Sequence, residues 1–199
     1  MVAKRRLGTE SARNRQLLVE AAERLMVEEG AAAITSRKVA EKAGLKMPLV
    51  YYYFHTMDDL IVEVMREHAA RRLKGFVRAL TAKDPFKALW EMNRDRSSAN
   101  FNTELLALAN QRERVRAELV TRAREFRALQ IEAVDRLLAE RGVDREQVPA
   151  GAIVTIIGAL TRAMAQDRAY GVDDGYDEAV ALVHKALEWL AAKEATSKH

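Results

Sequence analysis

The sequence predicts an all-α protein. Three observations carry this. Apolar residues recur at helical spacing along nearly all of the 199 residues. Only three prolines and nine glycines interrupt them, which favours long unbroken helices. No stretch reads as a plausible strand.

Nine helices follow in order. The first opens near Thr9 to Ser11, carries Leu17, Ala21, Ala22, Leu25 and Met26 on one face, and ends at Gly30, where a left-handed residue is wanted. A short helix over 36–43 has Thr35 to cap its free N–H groups and Gly44 to end it. Another covers 47–53, with Pro48 in the first turn, where a missing N–H costs nothing. Thr56-Met57-Asp58-Asp59 has the capping-box form and starts a long helix to about Leu80. Asp84-Pro85 starts a helix to about Ser97. Helices near 101–109 and 113–141 follow, the second stopping at Gly142. Pro149 opens the eighth, which ends near Tyr170, and the last runs from about Asp174 to Lys193.

Composition excludes several classes. Apolar residues at 49% and charged residues at 31% supply a packed core, so the chain is not disordered. With no cysteine, a disulfide framework, a thiol nucleophile and thiolate metal sites are out. His55, His68, His184 and His199 show no metal-ligand spacing, and no Gly-rich phosphate loop or catalytic constellation occurs. The expectation is a non-enzyme without metal or cofactor. No apolar run approaches the roughly 18 residues of a membrane span, and no signal-type stretch follows the basic start, so the protein is expected to be soluble and cytoplasmic.

Charge is unevenly placed. Residues 1–56 hold 10 Lys and Arg against 6 Asp and Glu, and so contain the whole net excess of +4. A basic end on a neutral body suggests a polyanion partner for that end. Residues 1–56 and 57–199 are accordingly read as two domains.

Residues 36–55 read SRKVAEKAGLKMPLVYYYFH. Two helices crossing steeply need a small residue in the first, Ala40, and a residue free to adopt positive φ at the turn, Gly44. Val39, Ala43, Leu45, Val50 and Tyr53 then point inward. This is the helix-turn-helix arrangement, and it leaves Lys46, Met47, Pro48, Leu49, Tyr51 and Tyr52 for the major groove of DNA. Two short helices in any all-α core share the bare motif. The basic excess and three successive tyrosines favour the DNA reading.

The segment ITSRKVAEKAGLKMPLVYYYFHTMDDL, within residues 10–65, resembles the DNA-binding region of the TetR family of bacterial transcriptional regulators. The Ala40/Gly44 pair, the LVYYYF run ending at Phe54 and the capped start at Thr56 stand in the family's order and spacing. The resemblance implies an all-α homodimer, a palindromic double-stranded operator and a ligand pocket in the C-terminal domain. The sequence departs from the family pattern in three places. Lys46-Met47-Pro48-Leu49 stands where Ser-Lys-Gly-Thr is common, Met57 replaces a common Lys, and Tyr53 an often-found His. The reading surface is thus less polar, and thymine-methyl contacts enter consideration. Thr35, Ser36 and Arg37 are assigned to phosphate, Lys46 to phosphate or a guanine edge, and Tyr51 and Tyr52 to backbone and bases. Lys4, Arg5 and Arg6 read either as a minor-groove arm or as a solvated terminus.

In the C-terminal region Phe86, Leu89, Trp90, Asn93 and Ser97 share one helical stripe. Leu119, Ala123, Phe126, Gln130, Val134 and Leu137 share another. Asn93, Ser97 and Gln130 are the polar exceptions, and a buried polar group needs a partner. That partner is either nearby backbone and water or a small apolar or aromatic effector. Trp90, Phe101, Leu105, Leu108, Phe126, Ile157, Leu160 and Met164 are the expected walls. The last two helices carry apolar residues on more than one side, which suggests a dimer interface at Gly158, Leu182 and Trp189. The expected function is a ligand-responsive repressor; its rivals are an architectural or division-linked DNA-binding factor of the same fold without an inducer, and an all-α protein-interaction module.

Overall fold

A computed structural model describes the backbone of residues 2–196 and the side chains of 10–95, 100–190, 192 and 193. Among the described residues there are nine α-helices and no strand. They are α1 (Val2–Glu29), α2 (Ser36–Ala43), α3 (Pro48–Tyr53), α4 (Met57–Leu80), α5 (Pro85–Asn93), α6 (Arg96–Gln111), α7 (Glu113–Glu140), α8 (Ala150–Ala169) and α9 (Tyr176–Thr196), with a 3-10 turn at Ala31–Ala33 before α2. Among the described residues no helix is long and apolar enough to cross a membrane.

The sequence-based boundaries shift in two places that matter. Helix α1 begins at Val2 rather than near Thr9, so the backbone of Lys4, Arg5 and Arg6 is helical; their side chains lie outside the described residues. Helix α5 stops at Asn93 instead of reaching Ser97. Arg94, at φ −86° and ψ 0°, turns its N–H to the carbonyls of Trp90 and Glu91 and closes the helix. Ser97 therefore belongs to α6, not to the α5 stripe, and its side chain is outside the described residues.

The chain forms two compact units that differ from a cut after residue 56. One comprises residues 1–71 and 100–122, the other 72–99 and 123–199. The first needs the later segment because α1 and α4 are apolar on broad faces. Leu18, Val19, Leu25 and Met26 of α1 and Leu60, Ile61 and Val64 of α4 are buried together with Phe101, Leu105 and Leu108 of α6 and Val115 of α7. In the second unit Phe76, Phe86, Leu89, Val134, Leu138, Val154 and Leu190 form a separate core.

Within the first unit α1 packs on α2, and α2 on α3. Thr35, extended at φ −117° and ψ 152°, caps α2 by accepting the Lys38 N–H at 3.3 Å. Gly44 ends α2 at φ 68° and ψ 28°, with Gly44 N–H bonded to Glu41 O (3.1 Å) and Leu45 N–H to Ala40 O (2.9 Å). That pair of bonds is the Schellman closure, and its left-handed residue favours glycine. At Gly30 the backbone is more restricted still, at φ 85° and ψ 170°, a region essentially confined to glycine. The next N–H, Ala31, donates to Glu104 Oε2 at 2.6 Å, and a Cβ on Gly30 would sit 3.2 Å from that same oxygen.

These two glycines differ in a testable way. A Cβ on Gly44 meets nothing within 4 Å, so Gly44→Ala bears only the left-handed penalty, about 1–2 kcal/mol. Gly30→Ala adds displacement of the Glu104 carboxylate. In urea denaturation both variants are expected to unfold at lower denaturant than the parent, with Gly30→Ala the lower. The reverse order would overturn the role given to Glu104.

Candidate nucleic-acid interface and apolar cavity

The turn at Gly44 lets α3 stand out from α2 with one face in the core. Val50 is fully buried, Phe54 nearly so, and Leu45 and Tyr53 pack half-buried against the same core. Pro48 sits in the first turn, where no N–H is needed. The opposite face consists of Lys46, Met47 (47% exposed), Pro48, Tyr51 (49%) and Tyr52 (72%), while Leu49 is half-buried. The three tyrosines separate by role. Tyr53 turns inward and meets the Tyr52 ring edge-on at 4.9 Å. The Tyr51 hydroxyl donates to Ser36 Oγ at 3.3 Å, tying α3 to the start of α2. Tyr52 is left as the exposed ring.

Positive charge on α2 is partly neutralised from within. Lys38 pairs with Glu29 at 2.7 Å, and Lys42 with Glu28. Arg37 and Lys46 are exposed, with no ion pair among the described residues. Thr35, Ser36, Arg37 and the exposed α3 residues thus form one continuous polar-to-apolar patch around the turn.

Helix α4 is anchored just after this patch. The Thr56 N–H donates to Asp59 Oδ2 at 2.9 Å and the Asp59 N–H to Thr56 Oγ1 at 3.1 Å, the reciprocal bonds of a capping box. Arg114 pairs with Asp59, and Arg112 reaches Asp58 at 2.7 Å. The Thr56 hydroxyl, donating to the Asp59 carboxylate, holds it below the usual aspartate range. Partial burial opposes this, and the Thr56 N–H and Arg114 reinforce it.

The second unit contains an apolar cavity of about 330 Å³. Helices α4, α5, α7, α8 and α9 all contribute walls, including Phe76, Phe86, Trp90, Val134, Ile157 and Leu187, and among the described residues no charged side chain lines it. Two amides do. Asn93 gives its Nδ2–H to Leu89 O at 2.8 Å, which leaves Oδ1 for another donor. Gln130 has no hydrogen bond among the described residues. The volume falls within the range of small-molecule sites.

The structure brings together Trp90, Asn93, Gln130 and Ile157 of the sequence-derived ligand set. It does not bring in Phe101, Leu105 or Leu108, which are buried in the core of the first unit. Helical spacing gave them an apolar face but not its neighbour. Phe126 lies against Phe76 at 5.4 Å with the Arg72 guanidinium over its ring at 4.8 Å, Met164 is buried away from the cavity, and Leu160 is half-buried off it. Leu182 and Trp189, assigned from sequence to an interface, line the cavity and are 69% and 48% exposed; Gly158 is half-buried on α8. Sequence reading missed Phe76 and the contribution of α9 through Val183, Ala186 and Leu187. Their apolar spacing was visible, but the direction it faced was not.

Residues 18–64 match the profile of the bacterial regulatory proteins, tetR family. No curated protein sequence is similar to the chain. Solved structures are similar over most of its length. A structure from Rhodococcus sp. assigned to the TetR-family transcriptional regulators is 16% identical, covers 88% of this chain and 97% of its own, and has a TM-score of 0.71. One from Saccharomonospora viridis, assigned as a transcriptional regulator and complexed with choline, is 18% identical, with coverages of 87% and 95% and a TM-score of 0.73. The fatty acid degradation regulator FadR from Bacillus halodurans is 16% identical, with coverages of 89% and 94% and a TM-score of 0.64.

The capping box makes part of the stability pH-dependent. Asp59 is depressed in the folded state, so its contribution is complete above the ordinary aspartate pKa and is lost as pH falls through the lower folded value. Asp59→Asn is expected to lower the Tm at pH 7 and to flatten its decline below about pH 4. Glu23 and Glu118 are also held low by arginine and histidine partners, so part of the acid sensitivity remains. An unchanged acid profile in calorimetry would show that the box carries no net weight.

Proposed function

Given a TetR-family DNA-binding domain and the fold of TetR-family transcriptional regulators, we propose that this protein is a ligand-responsive repressor. In this reading it binds a palindromic operator as a homodimer through α3 and is released by a small apolar or amphipathic effector. The observation that carries the DNA part is the exposed face of α3 over the Gly44 turn, flanked by the exposed charges of Arg37 and Lys46. Two such helices spaced one DNA turn apart, about 34–36 Å, would engage two half-sites.

The dimer rests on α8 and α9. Ile156, Leu182 and Trp189 are 62%, 69% and 48% exposed, a concentration of large apolar side chains that a second copy would cover. Gly158 in α8 presents no side chain, and among the described residues only the flexible Arg162 guanidinium, 3.3 Å from where a Cβ would stand, lies over it. The effector rests on the cavity. Its apolar walls and two amides suit an uncharged or weakly polar molecule with one group to accept from Gln130 and one to donate to Asn93. Arg94 and Arg127 flank the cavity helices but are otherwise engaged. The Arg94 guanidinium lies over Trp90 at 5.5 Å, and Arg127 donates to Thr155 Oγ1 at 3.0 Å. An acid is therefore a weaker fit than a neutral aromatic or acyl compound. Release requires the effector to bind the two functional states unequally, by as much as it changes DNA affinity.

Capture of bound genomic fragments supplies the operator for two measurements. Lys46→Ala is expected to weaken binding by on the order of tenfold and to reduce its salt dependence. Tyr52→Phe is expected to weaken it severalfold, the weight of one hydrogen bond. Both residues are exposed, so circular dichroism should be unchanged. No effect from either variant would mean that α3 is not the reading helix.

For dimer and effector, Trp189→Glu and Gly158→Leu are expected to sediment as monomers. A neutral aromatic or acyl amide at about 100-fold over its Kd should stabilise the parent by about 2.7 kcal/mol. Gln130→Leu should reduce that stabilisation while sparing operator binding. Choline and a fatty acid are the charged comparisons. A chain that binds the operator but responds to none of these compounds would favour the inducer-free architectural or division-linked factor.

A further inference from the structure

A base-reading helix is expected to carry side chains that hydrogen-bond to base edges. In the major groove guanine is read by paired donors from Arg or Lys, adenine by Asn or Gln, and cytosine by an acceptor such as Asp or Glu. The exposed face of α3 and its lead-in offers one such residue, Lys46. Tyr51 has its hydroxyl on Ser36. Between Lys46 and Tyr52 the exposed surface is Met47, 47% exposed, the ring of Pro48 and the ring of Tyr51, 49% exposed.

An apolar surface of this kind has one complement in the groove, since the C5-methyl of thymine is the only apolar group that the four base pairs present there. Placing charged or amide edges against Met47 and Pro48 would strip those edges of water without a hydrogen bond in return. We infer that Met47 and Pro48 select the operator through thymine methyl groups, so that each half-site is defined by thymines at the positions facing them. The inference rests on the DNA-binding reading above and adds the chemical feature that is recognised. Met47 suits the task because an unbranched thioether adapts to the position of a methyl. Pro48 suits it because its ring is held by the first turn of α3. Lys46 supplies the one charged contact beside them.

The test uses the full chain and duplexes selected by it from a randomised DNA library. Each thymine of the selected half-site is replaced singly by deoxyuridine, which keeps charge and base pairing and removes only the methyl. At one or more positions affinity is expected to fall about fourfold, the weight of one buried CH2. Met47→Ala should abolish that sensitivity at the position it faces while leaving the salt dependence unchanged. 5-Methylcytosine in place of cytosine at the same position should recover part of the affinity. Selected sites without a fixed thymine would overturn the inference, as would deoxyuridine duplexes bound as tightly as the parent at every position; in both cases the DNA-binding reading stands. Retention of no duplex over nonspecific competitor overturns both together.

Discussion

The left-handed backbone at Gly44 governs what the first unit can present. The Leu45 N–H can reach Ala40 O only if the residue between the helices turns at positive φ. That bond sets the chain leaving α2 on the course that puts Val50 and Phe54 into the core and Met47, Pro48 and Tyr52 outside it. Ala40, 2% exposed, is small enough to lie under the crossing. The Tyr51–Ser36 bond adds a second tie across the same turn. A helix of six residues has too few internal hydrogen bonds to be stable alone, so α3 exists because these tertiary contacts hold it.

Charge within the first unit is sorted by the same packing. Glu28 and Glu29 at the end of α1 pair with Lys42 and Lys38, so counting basic residues overstates the charge facing outward. What remains on the patch is Arg37 and Lys46 beside an apolar strip. Around α4, by contrast, Asp58 and Asp59 meet Arg112 and Arg114. Those carboxylates at a helix start also complement the macrodipole.

In the second unit polar groups inside apolar walls are handled in three ways. Thr161 is satisfied by its own helix, donating to Ile157 O at 2.8 Å. Arg141, buried at the end of α7, donates to Leu137 O and lies over the Phe86 ring at 5.0 Å. Among the described residues Asn93 makes one hydrogen bond, to Leu89 O, and Gln130 lines the cavity with none.

The sequence by itself determined that the chain is helical, where the turn at Gly44 falls and where α4 is capped. Thr35, Gly44, Pro48 and the Thr56–Asp59 box act through bonds no more than a few residues away, so their roles are visible in local spacing. Tertiary structure decided everything that depends on which face meets which. Phe101, Leu105 and Phe126 carry the same apolar periodicity as Trp90. Yet Phe101 and Leu105 serve the core of the first unit, Phe126 packs against Phe76, and Trp90 lines a cavity. Leu182 and Trp189 are both exposed and cavity-lining, a combination that periodicity cannot express. Helical spacing specifies that a stripe will be buried. Only the long-range arrangement of helices specifies what buries it, because burial is non-directional and any apolar face satisfies it.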